Sequence, residues 1–291
     1  MIIIINYIHF DNFYNIYANT EESVKDILYP HQFAIVMVFF IVSEHNYEQA
    51  IETVKCYSWH YNYTFVVLSL IEFSEFIFKK HCVIANYVQK YRNKIKYIVV
   101  INADIGVVNP LRRLESYLPK DEEDILFYER INNNEIAAGS YIIKNTLFAR
   151  SFLKFYADYE YKIPENNKFS DNVSLQAVFV DFIGTVQHCK KYLQCMKICD
   201  YVVGYDQNML FVSCVRYILS LMDETSNDVD FHTYEGGKIK LRKLSKRGGL
   251  EVDSLLNGHF VLTSYFIIFG NNKKLKNIKL YLKEDSYQMK E

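Results

Sequence analysis

Proline and glycine are scarce in this 291-residue chain, at 4 and 10 residues, and that scarcity excludes a linker-rich, collagen-like or low-complexity protein. Charge of either sign is not in excess: 33 basic residues face 34 acidic ones, for a net charge of -1, which removes the case for a nucleic-acid partner held by bulk charge. None of the six cysteines is spaced as CxxC, which argues against a zinc site. The opening MIIIINYIHF is far shorter than the ~20 apolar residues of a membrane span and lacks a basic n-region. It reads as an N-terminal strand rather than the remnant of a signal anchor, and no transmembrane span is expected. There is no internal repeat, and no P-loop, GxGxxG, GxSxG elbow or Ser-His-Asp order. Those absences argue against NTPase, dinucleotide-oxidoreductase and hydrolase readings.

What the chain has is apolar material: 50% of it is hydrophobic, with 25 Tyr and 21 Phe against one Trp, enough to build a large core. The organising stretch is YIVVINADIGVVNP, Tyr97 to Pro110. Its β-branched density reads as a strand buried on both faces, followed abruptly by Asn102, Asp104 and Gly106. In an open α/β sheet the ligand crevice lies outside the carboxyl ends of the strands, which puts Asp104 where a cofactor or metal would sit. Upstream, FAIVMVFFIV (33 to 42) is a first core strand. Tyr47, Ala50, Ile51, Val54 and Tyr57 then follow helical spacing, Thr64 to Leu70 is a second strand, and Phe73, Phe76, Ile77, Ile84 and Val88 share one helical face. Strand, helix, strand, helix, strand predicts a parallel doubly wound sheet, because parallel strands need crossovers. Downstream, strands are expected at Ile125 to Tyr128 and Ala138 to Ile143, and an aromatic helix from Leu147 to Tyr159. One domain over residues 32–272 is expected, with a leader at 1–31 carrying a short helix over Glu21 to Leu28, and a charged tail at 273–291.

Several residues carry chemistry, each beside a plainer alternative. Asp171 and Asn172, in FSDNVSLQ, open a helical run that Ser170 or Asp171 can cap. Glu135 and Gly139 flank a small-residue turn that lets backbone approach a ligand. Arg130 can grip a diphosphate with two parallel hydrogen bonds or be a salt-bridged surface charge, as can Arg112 and Arg113. The basic run at 242–247 is either a phosphate-facing loop or a charged turn. Asn62-Tyr63-Thr64 and Asn172-Val173-Ser174 are glycosylation sequons. Four of the cysteines fall between Cys189 and Cys214, and even number with clustering leans toward disulfides over buried thiols.

Five runs carry a family resemblance: ETVKCYSWHYNY (52–63), KKHCVIANYV (79–88), INADIGVVNPLRRLESYL (101–118), FYERINNNEIAAGSYIIKNTLFARSFLKFYADYE (127–160) and FSDNVSLQ (169–176). Together they resemble the nematode-expanded family called domain of unknown function 273, or DUF273, which is similar to glycosyltransferases of the type A fold. The resemblance implies an α/β fold with a central mostly parallel sheet flanked by helices, and an additional α/β portion after about residue 185. It further implies transfer of a sugar from a nucleotide-diphosphate donor to a glycan or protein acceptor in the secretory pathway or Golgi. Mn²⁺ or Mg²⁺ would sit at Asp104, with Asn102 as a weakened ligand because its amide oxygen carries no charge. Asp171 and Asn172 match the family's Asp-Asn pair and would be catalytic, the acid positioning the acceptor or stabilising positive charge at the anomeric carbon, and Arg130 with Ala138, Gly139 and Ser140 would hold the donor. The chain departs from the family pattern at Asn102, where a carboxylate is expected, and at Phe269, where a late histidine ligand is expected; His259 lies nearby. Both departures point to the alternative, a catalytically degenerate binding or scaffold protein that keeps the fold. A purely structural interaction protein is a third reading, drawn from the tyrosines.

Overall fold

The computed structural model describes residues 3–6, 29–40, 44–70, 76–107, 110–120, 122–130, 134–163, 171–184, 189–199, 204–225, 228, 230–243, 251–252 and 266–268. The expected leader helix, Ser170, most of the 242–247 run, His259, Phe269 and the tail lie outside the described residues.

The opening apolar run forms β1 (Ile3–Asn6), and the organising stretch forms β4 (Tyr97–Asn102). Between them come β2 (Phe33–Phe40), α1 (Glu44–Tyr61), β3 (Thr64–Leu70) and α2 (Phe76–Lys90). β2 lies between β3 and β4 and is parallel to both, with Phe33 opposite Tyr97 and Val38 opposite Asn102. Side chains alternate along such strands: Phe33, Ile35, Met37, Tyr97, Val99 and Ile101 enter one core with α1, while Ala34, Val36, Ile98 and Val100 enter the other with α2. Burial on both faces is what the unbroken apolar runs of β2 and β4 require. On α2, Ile84 and Val88 are fully buried.

After β4 a two-residue turn leads to β5 (Ile105–Val107), which pairs with β11 (Phe266–Ile268) beside β10 (Glu251–Val252) in a small second sheet. Then follow β6 (Ile125–Tyr128), β7 (Ser140–Lys144), α3 (Leu147–Ala157), α4 (Asp171–Ile183), α5 (Cys189–Cys199), α6 (Tyr205–Met222), β8 (Phe231–Tyr234) and β9 (Ile239–Arg242). Thr146 caps α3 by accepting the Ala149 N–H at 3.2 Å. The order in the main sheet is β1-β3-β2-β4-β7-β6-β9-β8. β7 is antiparallel to both β4 and β6, and β9 is parallel to β6, so five of the eight strands (β2, β3, β4, β6 and β9) point the same way. This is the α/β architecture with a central mostly parallel sheet flanked by helices. The portion after residue 185 is not a separate layer: β8 and β9 extend the same sheet through β6. Cys195 on α5 and Cys214 on α6 form a disulfide, while Cys56 and Cys82 are exposed thiols.

Candidate functional site

The carboxyl end of β4 is locked to the small-residue turn before β7. The Asn102 N–H donates to the Gly139 carbonyl at 2.8 Å. One residue earlier in that turn, the Ala138 N–H donates to Asn172 Oδ1 at 2.7 Å, which ties the start of α4 to the same place. One turn along α4, the buried Gln176 grips the Ile136 backbone from both sides: its Oε1 accepts the N–H and its Nε2 donates to the carbonyl, each at 3.2 Å. Ile136 bridges Glu129 on one side, and the side-chain amide satisfies the backbone N–H and C=O that it presents to the other.

These locks converge on Asp171 and Lys80. Lys80, on α2, is 7% exposed and forms an ion pair and hydrogen bond with Asp171. The same ammonium lies 3.4 Å from Asn102 Oδ1. Burial alone would push the Asp171 carboxyl up, but the Lys80 charge and hydrogen bond hold it below the usual carboxylate range, so it is an anion. Its other oxygen accepts the Asn172 N–H at 3.0 Å, and its carbonyl accepts the Tyr156 hydroxyl at 2.8 Å. Next to Lys80, His81 is fully buried and stacks on Tyr156 with ring centroids 3.8 Å apart. Burial first, then the Lys80 charge, lowers its pKa well below 6.5 against the opposing pull of Asp171, so its imidazole is neutral. Its Nδ1 lies 3.5 Å from the Tyr141 hydroxyl, and its Nε2 has no hydrogen-bond partner among the described residues.

The structure therefore brings Asn102, Ala138, Gly139, Asp171 and Asn172 together. Ser140 is buried in β7, its hydroxyl 3.5 Å from that of Tyr128. Arg130, just past β6, pairs with the buried carboxylate of Glu135 at 3.2 Å and also takes the Glu135 carbonyl on its own N–H. Asp104 sits half-buried in the turn between β4 and β5. The expectations made on Arg112 and Arg113 resolve locally: Arg113 pairs with Glu115 at 2.6 Å, and the Arg112 guanidinium meets the Tyr117 hydroxyl at 3.0 Å.

Sequence reasoning did not find Lys80, His81 or Gln176. The signal for Lys80 was present. Residues 76, 80, 84 and 88 recur every four positions, which places a lysine on the stripe that otherwise carries Phe76, Ile84 and Val88. A lysine on a core stripe has to find a counter-charge.

A second buried ionic cluster lies farther along the sheet. Arg216 of α6 pairs with Glu129, which follows β6. His232 of β8 bridges Glu129 at 3.3 Å and Asp223 at 2.7 Å. Asp223 also accepts the Thr233 and Thr225 N–H groups at 2.9 and 3.1 Å. Burial would raise its carboxyl, yet those backbone donors and His232 hold it below the ordinary value.

A match to the family described as "Protein of unknown function, DUF273" covers residues 54–235. The chain belongs to the DUF273 family. The matched span contains Lys80, Asn102, Asp171 and the second ionic cluster. No curated protein matches. Among solved structures, the chain is similar to a glycosyltransferase involved in glycosylation of the major capsid of PBCV-1, at 15% identity and TM-score 0.42 over 49% of this chain and 73% of that one. It is similar to apo GlyE of Streptococcus pneumoniae TIGR4 at 16% identity and TM-score 0.38 over 51% of this chain, which spans 43% of that protein. A third is a mutant Drosophila β1,4-galactosyltransferase 7 in complex with manganese, UDP-Gal and xylobiose, at 12% identity and TM-score 0.34, covering 72% of this chain and 92% of that one. At those scores the likeness supports no residue-by-residue correspondence.

The DUF273 residues do not fit a two-carboxylate metal clamp. Among the described residues no group of three His, Cys, Asp or Glu side chains is arranged to hold a metal ion. Asn102 offers one neutral oxygen, and that oxygen already faces the Lys80 ammonium. Among the described residues no helix is long and apolar enough to cross a membrane.

Proposed function

We propose that this DUF273 protein is a type A glycosyltransferase-like enzyme that takes a nucleotide-diphospho-sugar donor at the carboxyl end of β4 and transfers the sugar to a glycan or protein acceptor. The observation that carries the reading is Asp171: an ionised, largely buried carboxylate at the start of α4, fixed by Lys80 and set beside the Asn102 and Gly139 ends of the sheet. β3 and β4 lie on opposite sides of β2, with α1 and α2 on opposite faces of the sheet, and ligands of open α/β sheets bind outside the carboxyl ends of the strands at such a reversal of strand order. A fixed anion there stabilises positive charge developing at the anomeric carbon as the glycosidic bond to diphosphate breaks. Asn172 and Gln176 do not touch the reacting atoms in this account. They hold the Ile136 to Gly139 backbone against α4 and so fix the distance between Asp171 and the end of β4.

One observation favours a second reading, a non-catalytic module that binds the donor without turning it over: the first clamp position is Asn102 rather than a carboxylate. Titration calorimetry with UDP and GDP, followed by assay of nucleotide release from a panel of nucleotide sugars, separates the two. The enzyme reading expects Asp171→Asn to keep nucleotide binding within about tenfold and to lower turnover ~100-fold, the scale of losing one fixed charge aimed at the transition state. Binding without turnover by the unmodified protein would establish the module instead.

A further inference from the structure

Among the described residues, Lys80 is the cation that meets both Asp171 and Asn102. It arises from α2, touches Asp171 at the start of α4 and faces Asn102 at the end of β4. An ammonium has three N–H donors. Asp171 takes one and Asn102 a second, at a long 3.4 Å, and the described residues supply no third acceptor. The lysine cannot swing away without leaving Asp171 buried and unpaired, so its charge is fixed rather than mobile. A divalent cation ligated by Asn102 Oδ1, at the 2.0–2.6 Å such ions need, would sit close to that ammonium. Like charges at such separations repel strongly where water is scarce. Neutral Asn102 in place of a carboxylate is consistent with the same logic, since the resident cation already has its counter-charge in Asp171.

We propose that Lys80 takes the place of the divalent cation: nucleotide diphosphate binds this crevice without metal, and the lysine ammonium is the positive charge that meets it. The inference rests on the donor-binding reading above. Diphosphate oxygens accept the Lys80 N–H that no described residue takes and replace the long contact to Asn102.

The test is titration calorimetry of the full chain with UDP and GDP, in EDTA and again with Mn²⁺, together with electron paramagnetic resonance of Mn²⁺ mixed with the protein alone. The expected result is binding of a nucleotide diphosphate with the same Kd, within about twofold, in EDTA and in Mn²⁺, and a Mn²⁺ signal that stays that of the free ion. Lys80→Met should weaken nucleotide binding by about tenfold or more, while Lys80→Arg, which keeps the charge, should keep most of it. If Lys80→Met does not fold, the two measurements on the unmodified protein still decide. Nucleotide binding that requires Mn²⁺, or a Mn²⁺ signal quenched by the protein alone, overturns this inference and leaves the donor-binding reading standing. Absence of binding to either nucleotide in both conditions overturns both.

Discussion

The two buried ionic clusters differ in how their carboxylates are held. In the Glu129, Arg216, His232 and Asp223 cluster, one Asp223 oxygen accepts two backbone N–H groups and the Thr225 hydroxyl while the other takes His232. That arrangement welds α6 and β8 onto β6, while Arg216 Nη1 has no hydrogen-bond partner among the described residues. In the Lys80, His81 and Asp171 cluster the lysine contacts are one tight and one long, and His81 Nε2 is unpartnered among the described residues. Each cluster thus keeps one open nitrogen among the described residues, and what sets the Lys80 cluster apart is its long second lysine contact at the end of β4. Both clusters lie at the same end of the strands, because Asn102 ends β4, Glu129 follows β6, and β4 and β6 run the same way. The difference between them therefore reflects the side chains and not their place in the fold.

Removing one partner from each cluster tests the contrast. Lys80→Met should leave the Asp171 carboxylate buried without its counter-charge and cost about 3–5 kcal/mol of stability, read as a lowered urea midpoint. Lys80→Met combined with Asp171→Leu should recover most of that loss, since a buried pair replaced by apolar side chains is often neutral. Loss of the disulfide comes next: Cys195→Ala with Cys214→Ala opens a link across 19 residues and should cost about 3 kcal/mol, measured under non-reducing conditions. Arg216→Met should cost less than Lys80→Met, about 2 kcal/mol, because His232 stays beside Glu129.

Acid sharpens the contrast further. The His81 pKa in the folded protein lies below its ordinary 6.5, so the unfolded chain binds the proton first. Stability is then full above pH 6.5 and falls as pH drops below it, by up to ~1.4 kcal/mol per pH unit. Asp171 is shifted down from 3.8, and its contribution is present above that pH and lost as pH falls toward its lower folded value. Thermal melts between pH 7 and pH 5 should therefore show a decline that His81→Phe flattens. An unchanged slope in that variant would move the decline to another group.

Much of the fold was legible because it is local. The β2 and β4 runs, apolar without interruption, declared strands buried on both faces, and the spacing of Ala50, Ile51 and Val54 declared α1. The N-terminal MIIIIN declared β1, but not that it would lie antiparallel along β3. The joining of β9 to β6, from Ile125 with Ile239 to Tyr128 with Arg242, spans more than 100 residues of chain and leaves no periodic trace. The site was half legible. Asp171, Asn172, Asn102 and Gly139 stood out as residue types at strand and helix ends, whereas Lys80 did not. Its position on the apolar stripe of α2 was the clue, and its partner lies 91 residues on. Arg130 stood between a diphosphate grip and a salt bridge, and Glu135 supplies the salt bridge.

The central claim is that the Lys80 and Asp171 cluster serves a ligand while the Glu129 and Arg216 cluster serves the fold. The most direct measurement is UDP and GDP titration of the Lys80→Met, Asp171→Leu double variant beside the unmodified chain. The account predicts a melting temperature within about 5 °C of the unmodified protein and loss of the nucleotide binding that the unmodified protein shows. A double variant that binds the nucleotide with unchanged Kd would contradict it.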